Sequence, residues 1–215
     1  MNRPGGRRVG RAADRNLTAA ARGRGPLAAP FACQVAHAVP APSQGAIVVD
    51  LGAGPGRAAI GLHKLWPQSR IVCVDRSQEA VRAAERNIAR AGVRGVEAIL
   101  RRAEAIPFPA GAVDVVISRC SFHEWTDPRA GLSESHRVLK PGGSLVLRDY
   151  DRDWLSGWRK RLLERLHHLE MFRYTRGQVV GLVEAAGFVN VRAERKGWQY
   201  SIVAAEPPPG TPGPG

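Results

Sequence analysis

Cysteine is scarce in this 215-residue chain. Its three copies, Cys33, Cys73 and Cys120, are odd in number and share no C-x-x-C spacing. That argues against a disulfide framework and against a structural zinc site, and a reducing compartment, the cytoplasm, is expected. Long apolar runs are missing as well. No stretch is long enough to cross a bilayer, and the N-terminus lacks the continuous apolar core of a secretory signal, so a soluble protein with no membrane partner is expected. Acidic residues are the third shortage: 19 Asp and Glu face 32 Lys and Arg, for a net charge of +13. Such a balance invites a nucleic-acid partner, because phosphate backbones reward clustered Lys and Arg.

Where the positive charge sits weakens that invitation. The first 24 residues hold Arg3, Arg7, Arg8, Arg11, Arg15, Arg22 and Arg24 against Asp14 alone, amid Gly and Ala and with no periodicity. This arm reads as an RNA-binding segment, a targeting sequence or a disordered leader. The leader is expected, since Arg and Ala dominate throughout, as base composition alone would dictate. Residues 1–25 are thus expected to be a basic disordered leader, 26–206 the folded domain, and 207–215 a Pro/Gly-rich disordered tail. A length of 215 residues with 44% apolar content suits one domain with a buried core.

Within that domain, Ala46 to Leu51 is an apolar run bounded by turn residues, as in a strand buried on both faces. A glycine turn follows, and Pro55 suits the first turn of a helix that Pro67 stops. Arg70 to Val74 reads as the second strand, and Ser77 as the N-cap of a helix closed by Gly92. Val96 to Leu100 and Val113 to Ser118 read as strands three and four. Asp127 and Pro128 open a helix running to "VLKPGG", and Ser144 to Arg148 is the fifth strand. Trp154 to Phe172 is amphipathic at helical spacing, either a cover over the site or a core or dimer surface. A helix from Thr175 to Ala186 leads to Phe188–Glu194 and Gln199–Ala204, which are placed to pair as an antiparallel hairpin. Alternating strands and helices predict an α/β fold with a parallel sheet covered on both faces.

In such a sheet, ligands collect where loops leave the C-terminal strand ends. Gly52, Gly54 and Gly56 lie there after strand one, and Asp75 ends strand two, where a carboxylate can accept from both hydroxyls of a ribose. A dinucleotide favours G-x-G-x-x-G, whereas here the third glycine follows the second by two positions. Asp50, just before the turn, would repel a pyrophosphate and favour a cation.

Asp50-Leu51-Gly52-Ala53-Gly54-Pro55-Gly56, together with Asp75, resembles the cofactor turn and ribose acid of class I S-adenosylmethionine-dependent methyltransferases. The likeness is to the type 11, ubiquinone-biosynthesis-like branch with small-molecule acceptors. Ala103 to Trp125 resembles that family's adenine loop and fourth strand, Ser135 to Leu147 its approach to strand five, and the segment from Gly177 to Val191 its last helix and strand six. The resemblance covers roughly residues 40 to 205 and implies a Rossmann-like, doubly wound seven-stranded sheet of order 3-2-1-4-5-7-6, with strand seven antiparallel.

It also implies S-adenosyl-L-methionine as cofactor, contacted by Asp50, Gly52, Ala53, Gly54, Asp75, Arg76, Arg102, Ala103, Glu104 and Ser118. Arg102 stands where relatives commonly carry an acid that accepts from the adenine amino group; a guanidinium cannot accept, so it stacks on the ring or turns to solvent. Methyl transfer from a sulfonium needs chiefly alignment, and a base only where the acceptor must lose a proton. His123 is the candidate base, with a pocket-shaping role as the alternative. Arg119, Glu124, Trp125, Asp149, Tyr150 and Trp154 are candidates for the acceptor pocket, and no metal is implied.

The acceptor is expected to be a small molecule and the protein a monomer or homodimer. No N-P-P-Y-like tetrad follows strand four, which disfavours amino methylation of adenine in nucleic acid. The basic arm keeps an RNA or protein acceptor as the alternative, and Arg102 with Glu124 motivates a second one, a catalytically silent binding subunit.

Overall fold

A computed structural model of the chain describes residues 29–155 and 169–208. The expected leader and most of the expected tail lie outside the described residues, as does the greater part of the Trp154–Phe172 helix. At the described ends of that segment stand short 3-10 turns, Arg152–Trp154 and Leu169–Met171.

The elements, in chain order, are α1 (Ala29–Ala38), β1 (Ile47–Leu51), α2 (Arg57–Leu65), β2 (Arg70–Asp75), α3 (Gln78–Ala91), β3 (Val96–Leu100) and β4 (Val113–Arg119). After a 3-10 turn at Phe122–Glu124 come α4 (Pro128–Val138), β5 (Leu139–Tyr150), α5 (Arg176–Ala185), β6 (Val189–Lys196) and β7 (Gln199–Ala205). They form one seven-stranded sheet of order β3-β2-β1-β4-β5-β7-β6, the expected topology. Neighbours from β3 to β5 pair in parallel, while β7 runs antiparallel to both β5 and β6.

Strand alternation splits the core in two. Val48, Ile71, Val115, Ile117 and Val146 face α1 and α2, where Phe31, Val35 and Leu62 are fully buried. Val49, Leu51, Val72, Val116 and Leu147 face the opposite layer, against Leu132 of α4 and Val179 and Val183 of α5. Burying each such side chain contributes roughly 1.5–3 kcal/mol. Cys73 is 1% exposed and acts as a small core residue. Asp114 ties three strands together by accepting from the Ile47 amide at 2.8 Å and from Lys140 Nζ at 2.8 Å.

Local chemistry sets the helix boundaries. Ser77 caps α3 by accepting from the Ala80 amide at 3.2 Å, and Asp127 caps α4 with Pro128 in its first turn. Thr175 and Gln178 form a reciprocal capping box on α5. One expectation needs correction: Pro55 is not in the first turn of α2, since the helix starts at Arg57, with Gly56 as its N-cap in the left-handed region. The helix expected to end in "VLKPGG" does so at Val138, because Pro141 disfavours a helical Lys140 and Leu139 already pairs with Val113. Helix α1 was not anticipated, although Phe31, Val35 and Val39 recur at helical spacing. No helix among the described residues is long and apolar enough to cross a membrane.

Candidate functional site

The turn after β1 is held against β2: the amides of Gly52 and Ala53 donate to Val74 O at 2.8 and 3.2 Å. This path needs left-handed backbone at Gly52 and Gly54, with φ of 66° and 53°. A Cβ on Gly52 would run into the Ser121 side chain, whereas one on Gly54 would meet nothing within 4 Å and point into open space. That space is a cavity of about 280 Å³ at the C-terminal ends of β1, β2 and β4.

Asp75 is braced from two directions. Its Oδ2 accepts from the Gly54 amide at 2.8 Å and its Oδ1 from the Ser77 amide at 2.9 Å. Each carboxylate oxygen keeps a lone pair, so the group can still accept from two hydroxyls in the cavity it lines. Behind the turn, Asp50 is 1% exposed and its Oδ2 has no hydrogen-bond partner among the described residues. Burial pushes its carboxyl up to about 7, against the pull of Arg119 and with help from Asp75. A buried carboxylate left unpaired is costly, so this atom fits a cationic ligand group.

The far wall comes from the loops after β3 and β4. Arg101, Arg102, Ala103 and Glu104 line it, with Glu104 Oε1 accepting from the Asp127 amide at 2.9 Å. Arg102 turns toward Thr126 Oγ1, 3.4 Å away. Glu124 and Trp125, candidates for the acceptor pocket, stand instead in this wall. Glu124 reaches across the mouth to Arg76, with Nη2 to Oε2 at 3.5 Å. Trp125 packs against Phe122, and among the described residues its buried Nε1 has no partner, an orphan donor beside the cavity.

Ser118, a candidate cofactor contact, is 1% exposed and not part of the wall. Its Oγ lies 2.7 Å from Ser121 Oγ, which in turn donates to Leu51 O at 2.8 Å. Ser121 and Cys120 also line the cavity, and Ser121 was not singled out from sequence. Cys120 has φ of 51°, and its Sγ accepts from Gln199 Nε2 at 3.1 Å. Burial, with Asp149 nearby, pushes its thiol up, which removes the thiolate that a nucleophile or soft-metal ligand needs. Among the described residues, no group of three or more His, Cys, Asp or Glu could hold a metal ion.

A second cluster sits beyond the end of β5. Asp149, a candidate for the acceptor pocket, is 1% exposed and serves His123 instead. It accepts from the His123 amide at 3.0 Å and contacts His123 Nδ1 at 2.9 Å. A carboxylate only accepts, so Nδ1 carries a proton, and in the neutral ring the lone pair lies on Nε2. Nε2 lies 3.7 Å from Glu124 Oε1. Tyr150 meets the His123 ring edge-on, stacks on Trp198 at 5.2 Å and touches Phe172, on which Trp154 stacks. Trp198 and Phe172 were not singled out from sequence; the register that sets Tyr150 opposite Gln199 delivers the hairpin turn, and Trp198 with it.

The geometry therefore gives a glycine-walled cavity with a braced carboxylate, a buried orphan carboxylate and an adjoining His–Asp pair. Comparisons with known proteins agree with one another. A family model described as a methyltransferase domain matches residues 42–187. A malonyl-[acyl-carrier protein] O-methyltransferase of Herminiimonas arsenicoxydans is 30% identical over 166 residues, 77% of this chain and 59% of that protein. A trans-aconitate 2-methyltransferase of Azoarcus sp. (strain BH72) is 38% identical over 109 residues, 49% of this chain and 41% of that protein. The chain thus spans about half the length of these curated relatives. A solved SAM-dependent methyltransferase from Aquifex aeolicus is 25% identical with a TM-score of 0.64, over 76% of this chain and 85% of that one.

Proposed function

Because the chain belongs to the methyltransferase-domain family, whose model spans residues 42–187, we propose that it transfers a methyl group from S-adenosyl-L-methionine to a small-molecule acceptor. The observation that carries this reading is the pairing of Asp75 with Asp50 around one glycine turn. Asp75, with lone pairs left toward the cavity, holds the ribose hydroxyls. Asp50, with its unpartnered Oδ2, faces the cationic methionine end. Gly52, Ala53 and Gly54 keep the backbone low enough for close approach, and Arg102, Ala103 and Glu104 flank the adenine, with Trp125 Nε1 as a further donor. When bound, S-adenosyl-L-methionine would supply an electrophilic methyl carbon that passes in line to the acceptor's nucleophile, the C–S bond breaking and its electron pair leaving on the thioether sulfur.

His123 is the base for acceptors that must lose a proton. Asp149 fixes its tautomer and leaves Nε2 to take the proton, while Tyr150, Phe172, Trp154 and Trp198 supply apolar surface beside it. Glu124, between Arg76 and His123, links the two halves of the site. The related malonyl and trans-aconitate methyltransferases support a small acceptor. The protein works in the cytoplasm, as a monomer or homodimer and without a membrane or metal, and residues 26–206 are its catalytic domain.

Incubation with methyl-labelled cofactor and fractionated cell extract tests the reading. Label is expected in the low-molecular-weight fraction; label in RNA or protein alone would favour a macromolecular acceptor served by the basic arm. Cofactor binding with no labelled product in any fraction would favour a silent subunit.

A further inference from the structure

The parallel register of β4 and β5 sets Arg119 directly beside Arg148 at the C-terminal edge of the sheet. Like charges opposite one another on neighbouring strands repel. A carboxylate between them is the usual remedy, yet among the described residues neither guanidinium has one at ion-pair distance. Arg148 is gripped by neutral oxygens instead: Nε donates to Gln199 Oε1 at 3.0 Å and Nη1 to Gln34 Oε1 at 3.1 Å. Two amides from different elements, β7 and α1, therefore fix the guanidinium without cancelling its charge. Burial draws Arg148 below the usual guanidinium range, with Arg119 adding a smaller push in the same direction.

The pair's position connects it to the site. Ile117 and Val146 face α1, so Arg119 and Arg148, two residues further along the same strands, share that face. Arg119 lies near enough to Asp50 to pull its carboxyl down, and Cys120, the next residue, lines the cofactor cavity. The guanidiniums thus sit on the α1 face at the C-terminal sheet edge, with Arg119 near Asp50 and next to a residue that lines the cavity, at the edge where open α/β folds bind ligands.

We infer that Arg119 and Arg148 together bind a carboxylate carried by the methyl acceptor. The inference rests on the methyltransferase reading above and narrows it to anionic acceptors. Guanidinium donors match the planar fork of a carboxylate, and a pair that already repels gains most from an anion placed between them. One other source of the same chemistry is the carboxylate at the methionine end of the cofactor.

The test uses the full chain, labelled for NMR of arginine Nε–H groups, with sodium acetate as the smallest carboxylate and chloride at matched ionic strength as control. With S-adenosylhomocysteine saturating the cofactor site, acetate should shift the Arg148 Nε–H signal saturably, and Arg119→Gln should weaken that binding at least tenfold. No saturable shift would overturn the proposal. Inorganic phosphate binding tenfold tighter than acetate would also overturn it, in favour of a phosphate-bearing acceptor. If S-adenosylhomocysteine displaces acetate, and Arg119→Gln weakens that nucleoside but spares 5′-methylthioadenosine, which lacks the amino-acid end, the pair serves the cofactor. Should the wild type bind neither nucleoside, the methyltransferase reading itself fails, and the acceptor assignment falls with it.

Discussion

Asp50 offers a perturbation whose size follows from the structure. Its carboxyl, ordinarily at 3.8, stands at about 7 in the folded protein, chiefly because burial disfavours the charge. Raised above its unfolded value, this acid holds its proton more tightly when folded, so its contribution to stability is most favourable below about pH 4 and declines until about pH 7. The gap of about 3 pH units, at about 1.4 kcal/mol each, makes charged Asp50 cost the free protein about 4 kcal/mol at pH 8 and above. Asp50→Asn removes that charge at nearly constant shape. The variant's stability advantage over wild type should grow by about 2–3 kcal/mol between pH 5 and pH 8.5, read by urea unfolding without ligand. A cationic ligand beside Asp50 reverses the preference, so binding of S-adenosyl-L-methionine at pH 7 should release about half a proton. Calorimetry in buffers of different ionisation enthalpy reads that release, and Asn at position 50 should abolish it. A stability gap that does not change between pH 5 and 8.5, or buffer-independent binding enthalpies in the wild type, would refute the reasoning.

Other outcomes follow from the same geometry. Asp75→Ala removes the ribose acceptor and the brace for the Gly54 and Ser77 amides, so cofactor affinity should fall at least tenfold, or about 1.4 kcal/mol, in a direct titration. Gly52→Ala forces a side chain into the left-handed region and into Ser121, and should lower unfolding free energy by roughly 1–3 kcal/mol in urea. Asp149→Asn should leave cofactor affinity within about twofold, while ¹⁵N NMR of His123 shows loss of the single Nδ1–H tautomer; an unchanged tautomer would remove Asp149 from its positioning role. Deleting residues 1–25 should leave cofactor affinity intact, and a folded truncation that no longer binds would tie the arm to the site.

The individual strands and helices, and the glycine turn with its two acids, were legible because their signals are local, whereas the strand order was implied by the family resemblance. The glycine turn, Asp50 and Asp75 lie within one strand-turn-helix-strand stretch, and paired sheet registers place them without further information. Cap residues such as Ser77, Asp127 and Thr175 marked helix starts for the same reason. What depended on distant partners was harder to read. Trp125 and Glu124 line the same cavity as Gly52 and Gly54 because the 3-10 turn at Phe122–Glu124 redirects the chain after β4. Asp149 becomes the partner of His123, and Arg148 meets Gln34 and Gln199, across 26, 114 and 51 residues of sequence. Such contacts have no periodicity or spacing for a single sequence to display.

Calorimetric titration with S-adenosyl-L-methionine and S-adenosylhomocysteine, with NAD as control, tests the central claim most directly. Binding of both sulfur nucleosides, and none of NAD, is the predicted result. Binding of NAD alone, or of none of the three, would contradict the assignment of this cavity to S-adenosyl-L-methionine.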